Sequence, residues 1–523
     1  MSGEIKDECG VAAVYLPEKS AKKHPAGGSA YYLYKMLLQM QNRGQLSAGI
    51  TTYNAERQQL IDTFKKMGSV SEVFSTKIKP KAQSIMHKYS GSMGIGHVRY
   101  STSGGDDEGS VQPFERHHGR KWKWFSFAFN GNIANFIGLK KELEKKQYHL
   151  VRNLDTELIL HFLEKEQVGE SKKSLIDSFS NISAKFDGAF NLVYLDAEAR
   201  LVASRDPLGI RPLCYSKSDD FVGAASESVA LIDLVDNGIT PLKPGEMLIV
   251  ENGEAEVKRY AKSKRNAHCM FEWVYFANAA SVLDHRSVYQ TRWRLGTELA
   301  KQETLDVNSD DWIVVPVPDT AKPAADAFAH EIGLPAMEGI IRNRYVGRTF
   351  IEGNDRLERI KEKFNVNKPV LKGKKVILVD DSIVRGTTSQ ALIQYLRIKS
   401  QVKEIHMRVT CPPIRSPCFY GIDMSTIGEL IANKHSSKDD LHQTGFINMD
   451  KKVIDKIAAD IGVDSLQYMT LDGLVKCIGL ENGKNDLCMA CLTGEYPTEH
   501  GQLLRVKALE RFERGLEAKR TYE

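Results

Sequence analysis

Val376-Ile-Leu-Val-Asp-Asp-Ser-Ile-Val-Arg-Gly-Thr-Thr-Ser389 is the stretch from which the fold can be read. Four apolar, mostly β-branched residues, Val376 to Val379, bounded by polar ones, predict a buried parallel strand. Asp380 and Asp381 stand where that strand ends. Ser382, Arg385, Gly386, Thr387, Thr388 and Ser389 follow as a small, hydroxyl-rich turn, and the periodic run Ala391-Leu-Ile-Gln-Tyr-Leu predicts a helix. A strand, a polar turn and a helix N-terminus make an anion site, because free N–H groups and the helix dipole face the ligand. In open α/β sheets such sites lie at the carboxyl ends of the strands. The turn suits a phosphate. The Asp pair repels one, but can accept hydrogen bonds from vicinal sugar hydroxyls or lie beside Mg²⁺. No Lys follows the Gly, so the turn is not a Walker P-loop.

Composition sets the frame. The chain has 523 residues, 42% of them hydrophobic and 27% charged, enough for two or three domains with sizeable cores. Lys+Arg is 72 against 67 Asp+Glu, and a net charge of +5 spread over this length argues against a nucleic-acid binder. No run is long enough for a transmembrane helix, and Met1–Glu8 lacks the apolar core of a signal peptide. A cytoplasmic location is expected, where the eight Cys are metal-binding, catalytic or buried rather than disulfide-bonded.

The first half carries a second set of signals. Cys9 precedes an alternating strand. Asn42-Arg-Gly-Gln-Leu46 is a tight turn after a helix around Tyr31–Met40, and a strand leads from Gly94 to Arg99. Asn130 and Gly131 stand at a strand end, and Asp155 opens a helix. Singly, each has an ordinary reading: a core thiol, a surface ion pair for Arg99, a hairpin dipeptide for Asn130-Gly131, a helix cap for Asp155. Their joint order carries the functional one. Together they resemble the glutaminase domain of class II (N-terminal nucleophile) glutamine amidotransferases. The resemblance implies that Cys9 is the nucleophile and that its own α-amine, with a pKa of about 7.7–8.0, is the base. That requires removal of a propeptide, residues 1–8. Asn130 and Gly131 would stabilise the oxyanion. Arg99 would clamp the glutamine carboxylate and Asp155 its ammonium. The sequence departs from the family pattern at Asn42, Leu46 and Phe129, and the basic, aromatic stretch Arg116–Trp124 also diverges.

The 376–389 string is similar to the phosphoribosyl-diphosphate (PRPP) signature of type I phosphoribosyltransferases. With Pro316-Val-Pro-Asp-Thr320 and Arg342-Asn-Arg-Tyr-Val-Gly-Arg-Thr-Phe-Ile351, the chain from about Cys9 to Pro497 resembles the amidophosphoribosyltransferase family. The fold implied is an α+β glutaminase domain (αββα, stacked antiparallel sheets) over 9–257 and a linker over 258–266. An α/β phosphoribosyltransferase domain with a mainly parallel sheet would follow over 267–500, then a charged helical tail over 501–523. The tail's mixed charge predicts a solvated or subunit-contact surface. The reaction implied is glutamine, PRPP and water to 5-phosphoribosylamine, diphosphate and glutamate, the first step of de novo purine synthesis. Ammonia would pass from Cys9 to the PRPP site. Mg²⁺ would be held by Thr320, Asp380 and Asp381, and a basic lid with Arg342, Arg344 and Arg348 would close over the diphosphate.

The resemblance also implies a [4Fe–4S] cluster on Cys269, Cys418, Cys488 and Cys491. The Cys488-x-x-Cys491 spacing would serve Zn²⁺ equally. Family members are homo-oligomers, usually tetramers or dimers. The competing readings are a PRPP-sensing regulator without chemistry, which would not need the glutaminase set, and another class II amidotransferase, which would lack the PRPP string.

Overall fold

The computed structural model describes residues 9–99, 108–236, 238–307, 310–343, 356–422, 424 and 426–516. Residues 1–8 and the basic segment with Arg344 and Arg348 lie outside the described residues.

The first half stacks two antiparallel sheets, one of seven strands and one of six. Strand alternation explains the stacking. In Gly10–Tyr15, Val11, Ala13 and Tyr15 face the second sheet, while Ala12 and Val14 face the helix Gly28–Gln39. In Phe125–Ile133, Phe125, Phe127, Phe129 and Ile133 face the helices Phe136–Lys145, Asp155–Glu166 and Leu175–Ser183. The alternate residue Ala128 faces the first sheet, and Ser126 bonds across to Thr51, Oγ to Oγ1 at 2.8 Å. The result is helix, sheet, sheet, helix, as the family resemblance implies. The outermost strand, Glu254–Arg259, pairs with Glu246–Glu251, so residues 258 and 259 of the predicted linker lie in the sheet.

The second half is built on four parallel strands in chain order: Trp312–Pro316, Lys375–Asp380, Glu404–Val409 and Ser465–Tyr468. Trp312–Pro316 and Lys375–Asp380 are short apolar runs buried on both faces, Glu404–Val409 is buried with His406 and Arg408 along it, and the edge strand Ser465–Tyr468 is buried only at alternate residues. The helices Lys322–Ile332, Thr387–Ser400, Lys451–Ile461 and Leu471–Ile478 cover the sheet. The predicted strand over 376–379 extends by one residue at each end.

The halves are not beads on a string. Ala134, Ala189 and Ile210 of the first are part of the second half's apolar core. His268-Cys269 pairs in parallel with Leu487-Cys488, joining the start of the second half to its end. The C-terminal helix Glu499–Glu513 differs from its predicted solvated state. Gly501, Leu504, Arg505, Ala508 and Leu509 are buried, and Arg505 Nη2 donates to Leu441 O at 2.9 Å. The buried face carries Leu504, Ala508 and Leu509 together with the hydrogen-bonded Arg505, while Leu503 and Val506 remain exposed.

Candidate active sites

Cys9 is half-buried at the mouth of the strand that follows it. Val11 N donates to Ser226 Oγ at 3.0 Å, and Ser226 N returns a bond to Val11 O at 3.0 Å. Ser226 also lies 3.5 Å from Asn130 Nδ2, which places the candidate oxyanion amide beside the Cys9 strand. Asn130 and Gly131 are not a turn. They are paired inside Phe125–Ile133, opposite Asn191 and Phe190. The local turn preference of Asn-Gly loses to strand pairing on a buried sheet. Gly131 is required there: its φ is +149°, and a Cβ would lie 1.9 Å from Ala189 O.

Arg99 ends the strand Met93–Arg99, is buried, and donates through Nη1 to Ser110 Oγ at 2.5 Å. Asp155 is the first residue of its helix rather than the cap. Its carboxylate reaches back to accept Ile133 N at 3.0 Å, at the end of the strand that carries Asn130. Burial pushes its carboxyl up to about 7, partly offset by that N–H. Phe129 belongs to the core under the helices, and its backbone N–H donates to Gln112 Oε1 at 2.7 Å. The departure at 129 therefore changes packing, not the aim of Asn130.

The second site lies at the carboxyl edge of the parallel sheet. Ser382 Oγ donates to Asp381 Oδ1 at 2.7 Å, and Asp381 N to Asp380 Oδ1 at 2.9 Å. Gly386 takes φ +74° where the turn enters the helix Thr387–Ser400. Thr387 Oγ1 is buried with no hydrogen-bond partner, an orphaned hydroxyl at a helix N-terminus of the kind an anion completes. Thr388 is half-buried and Ser389 buried in the same first turn. Val317 N donates to Val379 O at 2.8 Å, which brings the turn carrying Thr320 alongside Asp380. Arg385 turns away from the helix end, with Nη2 3.2 Å from Glu429 Oε2. Arg342 is at the exposed end of Ile340–Arg342, with Nη1 3.3 Å from Asp319 Oδ2. Arg344 lies outside the described residues.

The four predicted cluster cysteines come from three distant segments and converge. Cys269 and Cys488 are partners in the short parallel pair. Cys491 lies within electrostatic reach of Cys269, Cys418 and Cys488, and Tyr420 N donates to Cys418 Sγ at 3.3 Å. Burial pushes the Cys488 thiol up to about 12. Among the described residues no group of three or more His, Cys, Asp or Glu is drawn onto a point where one metal ion would sit. The donors, three buried thiols and the half-buried Cys418, have the chemistry that both an iron–sulfur group and Zn²⁺ use.

Several residues here were not singled out from sequence. Asn132 Nδ2 donates to Phe419 O at 3.0 Å, across the two halves. Arg211 Nη2 donates to Tyr420 O at 2.7 Å. Glu227 and Glu272, both fully buried, hold Arg43 at 2.6 and 2.5 Å.

Comparison with known proteins agrees with this geometry. The glutamine amidotransferase domain family matches residues 97–233, and the phosphoribosyl transferase domain family matches 287–417. The amidophosphoribosyltransferase of Methanothermobacter thermautotrophicus is 39% identical over 502 residues, covering 95% of each chain. The chain belongs to the amidophosphoribosyltransferase family. That of Bacillus subtilis is 33% identical, over 95% of this chain and 96% of its own. The solved glutamine PRPP amidotransferase of B. subtilis, complexed with ADP and GMP, superposes with a TM-score of 0.79 at 32% identity, covering 94% of this chain and 98% of that one. Like other amidophosphoribosyltransferases, this is a transferase with glutamine amidotransferase activity, acting at the first step of purine biosynthesis. No helix among the described residues is long and apolar enough to cross a membrane.

Proposed function

We propose that Cys9 releases ammonia from glutamine and that the 376–389 turn holds the PRPP that receives it. The observation carrying this reading is the double anchorage of the strand Asn130-Gly131-Asn132. One end is tied through Ser226 to the Cys9 strand and the other to Phe419 of the second half. Once residues 1–8 are removed, the α-amine of Cys9 takes the thiol proton as sulfur attacks the carboxamide carbon. Asn130 Nδ2 and Gly131 N donate to the oxyanion, while Arg99 and Asp155 hold the amino-acid end. The C–N bond breaks, ammonia leaves with the proton, and water hydrolyses the thioester to glutamate. Ammonia must travel unprotonated, since ammonium has no lone pair.

At the second site the N–H groups and hydroxyls of Thr387, Thr388 and Ser389 take the 5-phosphate, with Ser382, Arg385 and Gly386 shaping the turn. Asp380 and Asp381 accept from the ribose hydroxyls. Arg342 and Arg344 oppose the diphosphate charge as it departs. Mg²⁺ bound by Thr320, Asp380 and Asp381 would neutralise that leaving charge. A [4Fe–4S] cluster on Cys269, Cys418, Cys488 and Cys491 would pin three segments of the second half together. The expected assembly is a homo-oligomer, a dimer or tetramer.

The test is diphosphate release from PRPP, with glutamine and then with ammonium at alkaline pH. Cys9→Ala should lose the glutamine-dependent rate by roughly 10⁶ and keep the ammonia-dependent one. Replacing Asp380 and Asp381 together by Asn should abolish both. Glutamine-dependent activity in Cys9→Ala, or ammonia-dependent activity in the double variant, would refute the corresponding assignment.

A further inference from the structure

The loop Asn42-Arg-Gly forms one wall of the glutaminase site. A Cβ on Gly10, next to Cys9, would lie 3.3 Å from Arg43 Cδ, and one on Gly44 would lie 2.6 Å from the carbonyl carbon of Arg99. Leu46 N donates to Arg99 O at 3.0 Å. Arg43 therefore packs on the nucleophile's neighbour, while Gly44 and Leu46 of the same loop hold the backbone of Arg99, the residue proposed to clamp the substrate carboxylate.

What holds Arg43 comes from both halves of the chain. Its Nε lies 2.6 Å from Glu227 Oε1 in the first half, and its Nη2 lies 2.5 Å from Glu272 Oε2 in the second. Arg211 Nη1 stands 3.6 Å from Glu272 Oε1. Two guanidinium groups and two carboxylates so form a buried set of zero net charge. Glu227 is itself fastened to the second half, accepting from Asn278 N at 2.8 Å and Ser281 Oγ at 2.7 Å. The segment carrying Glu272 is held by Arg292, which donates to Trp273 O, Tyr275 O and Ala277 O at 2.8–2.9 Å. Asn42 Nδ2 repeats the bridge at the half-buried rim, donating to Glu227 Oε1 at 2.7 Å and Phe276 O at 3.1 Å.

We infer that Glu272 is a positioning residue for the glutaminase reaction, so that the Cys9 site is complete only when the second half supplies this carboxylate. The inference rests on the reading of Cys9 as nucleophile. Removing the charge of Glu272 leaves a buried guanidinium unmatched. Arg43 must shift, and with it Gly10, which packs on it, and Arg99, whose backbone is held by the adjoining Gly44 and Leu46. Glu272 belongs to neither the turn that holds PRPP nor the reacting atoms, so the ammonia-dependent reaction does not need it.

The experiment uses the full chain, comparing Glu272→Gln and Asn42→Ala with Cys9→Ala run in parallel. Glutamine kcat/KM in Glu272→Gln should fall roughly 10- to 100-fold, the cost of an ångström-scale misplacement, with the ammonia-dependent rate within about twofold of the parent. Asn42→Ala, which leaves no buried charge unmatched, should shift the same ratio in the same direction by less, and it decides the matter if Glu272→Gln does not fold. A proportional loss of both activities would mean a general structural role and overturn the inference, as would unchanged glutamine kinetics in both variants. If Cys9→Ala retained glutamine-dependent activity, the nucleophile would lie elsewhere. That result would reject the reading of the site itself, and the inference with it.

Discussion

Gly131→Ala is the sharpest single test of the strand that joins the two sites. A Cβ at 131 would lie 1.9 Å from Ala189 O, 2.6 Å from Ala189 C and 3.1 Å from Phe190 Cα, all of them backbone atoms of the paired strand. No side-chain rotation relieves such contacts, so the strands must part. The φ of +149° adds strain whatever the space. Overpacking costs about 1–3 kcal/mol and a strained backbone about 1–3 kcal/mol, together about 2–6 kcal/mol. Against a typical stability of about 5–15 kcal/mol this is a large fraction. For a domain of this size it lowers the melting midpoint by on the order of 10 °C. Gly138→Ala is the matched control. It lies in the helix Phe136–Lys145 with nothing within 4 Å of its Cβ, and should gain about 0.5–1 kcal/mol. Scanning calorimetry of the two variants should show midpoints moving in opposite directions. A Gly131→Ala protein melting with the parent would refute the claim that the strand cannot accommodate a side chain.

Other expectations follow from the same geometry. Asp155 has a folded-state carboxyl raised to about 7, so the stability it contributes is complete below the ordinary carboxylate range and is lost as pH rises through about 7. If its charged form receives the substrate ammonium, glutamine kcat/KM should climb through the same window. Asp155→Asn should remove that dependence in a pH profile and flatten the fall in stability. Gly386→Ala forces Ala to φ +74° and sets a Cβ 2.2 Å from Ile431 Cδ1, so KM for PRPP should rise roughly 5- to 30-fold with either nitrogen donor, measured by initial rates. Gly501→Ala would push a Cβ to 2.0 Å from Tyr420 OH, destabilising the protein by about 1–3 kcal/mol in urea unfolding.

The strand, turn and helix around Asp380 were legible because each element obeys its own period and the turn residues agree with both. The strand after Cys9 was legible from its alternation, whereas the stacking of two sheets followed only from the family resemblance. What could not be read locally was set by partners far along the chain. Asn130-Gly131 carries a turn signal, yet pairing with Asn191 and Phe190 holds it extended. Asp155 reads as a cap, yet its carboxylate serves Ile133 instead. The tail reads as solvated from its mixed charge, because the buried set of Leu504, Ala508 and Leu509 is too sparse to dominate a window average. Glu227 and Glu272 had no local signature at all. Their meaning appears only when Arg43 stands between them.

The bond from Asn132 to Phe419 spans 287 residues, and this separation has a consequence on the ribosome. At about 5–20 residues per second, roughly 15–60 s pass between synthesis of the oxyanion strand and arrival of the carbonyl that anchors it. The antiparallel sheets of the first half can assemble within that interval, since their last strand, Glu254–Arg259, is made well before Phe419. Their reactive centre still waits for the loop that carries Cys418. On the proposed reading of Cys9 and Asn130, a nascent chain would then hold an unfinished glutaminase, and free ammonia would not be produced before Phe419 is in place.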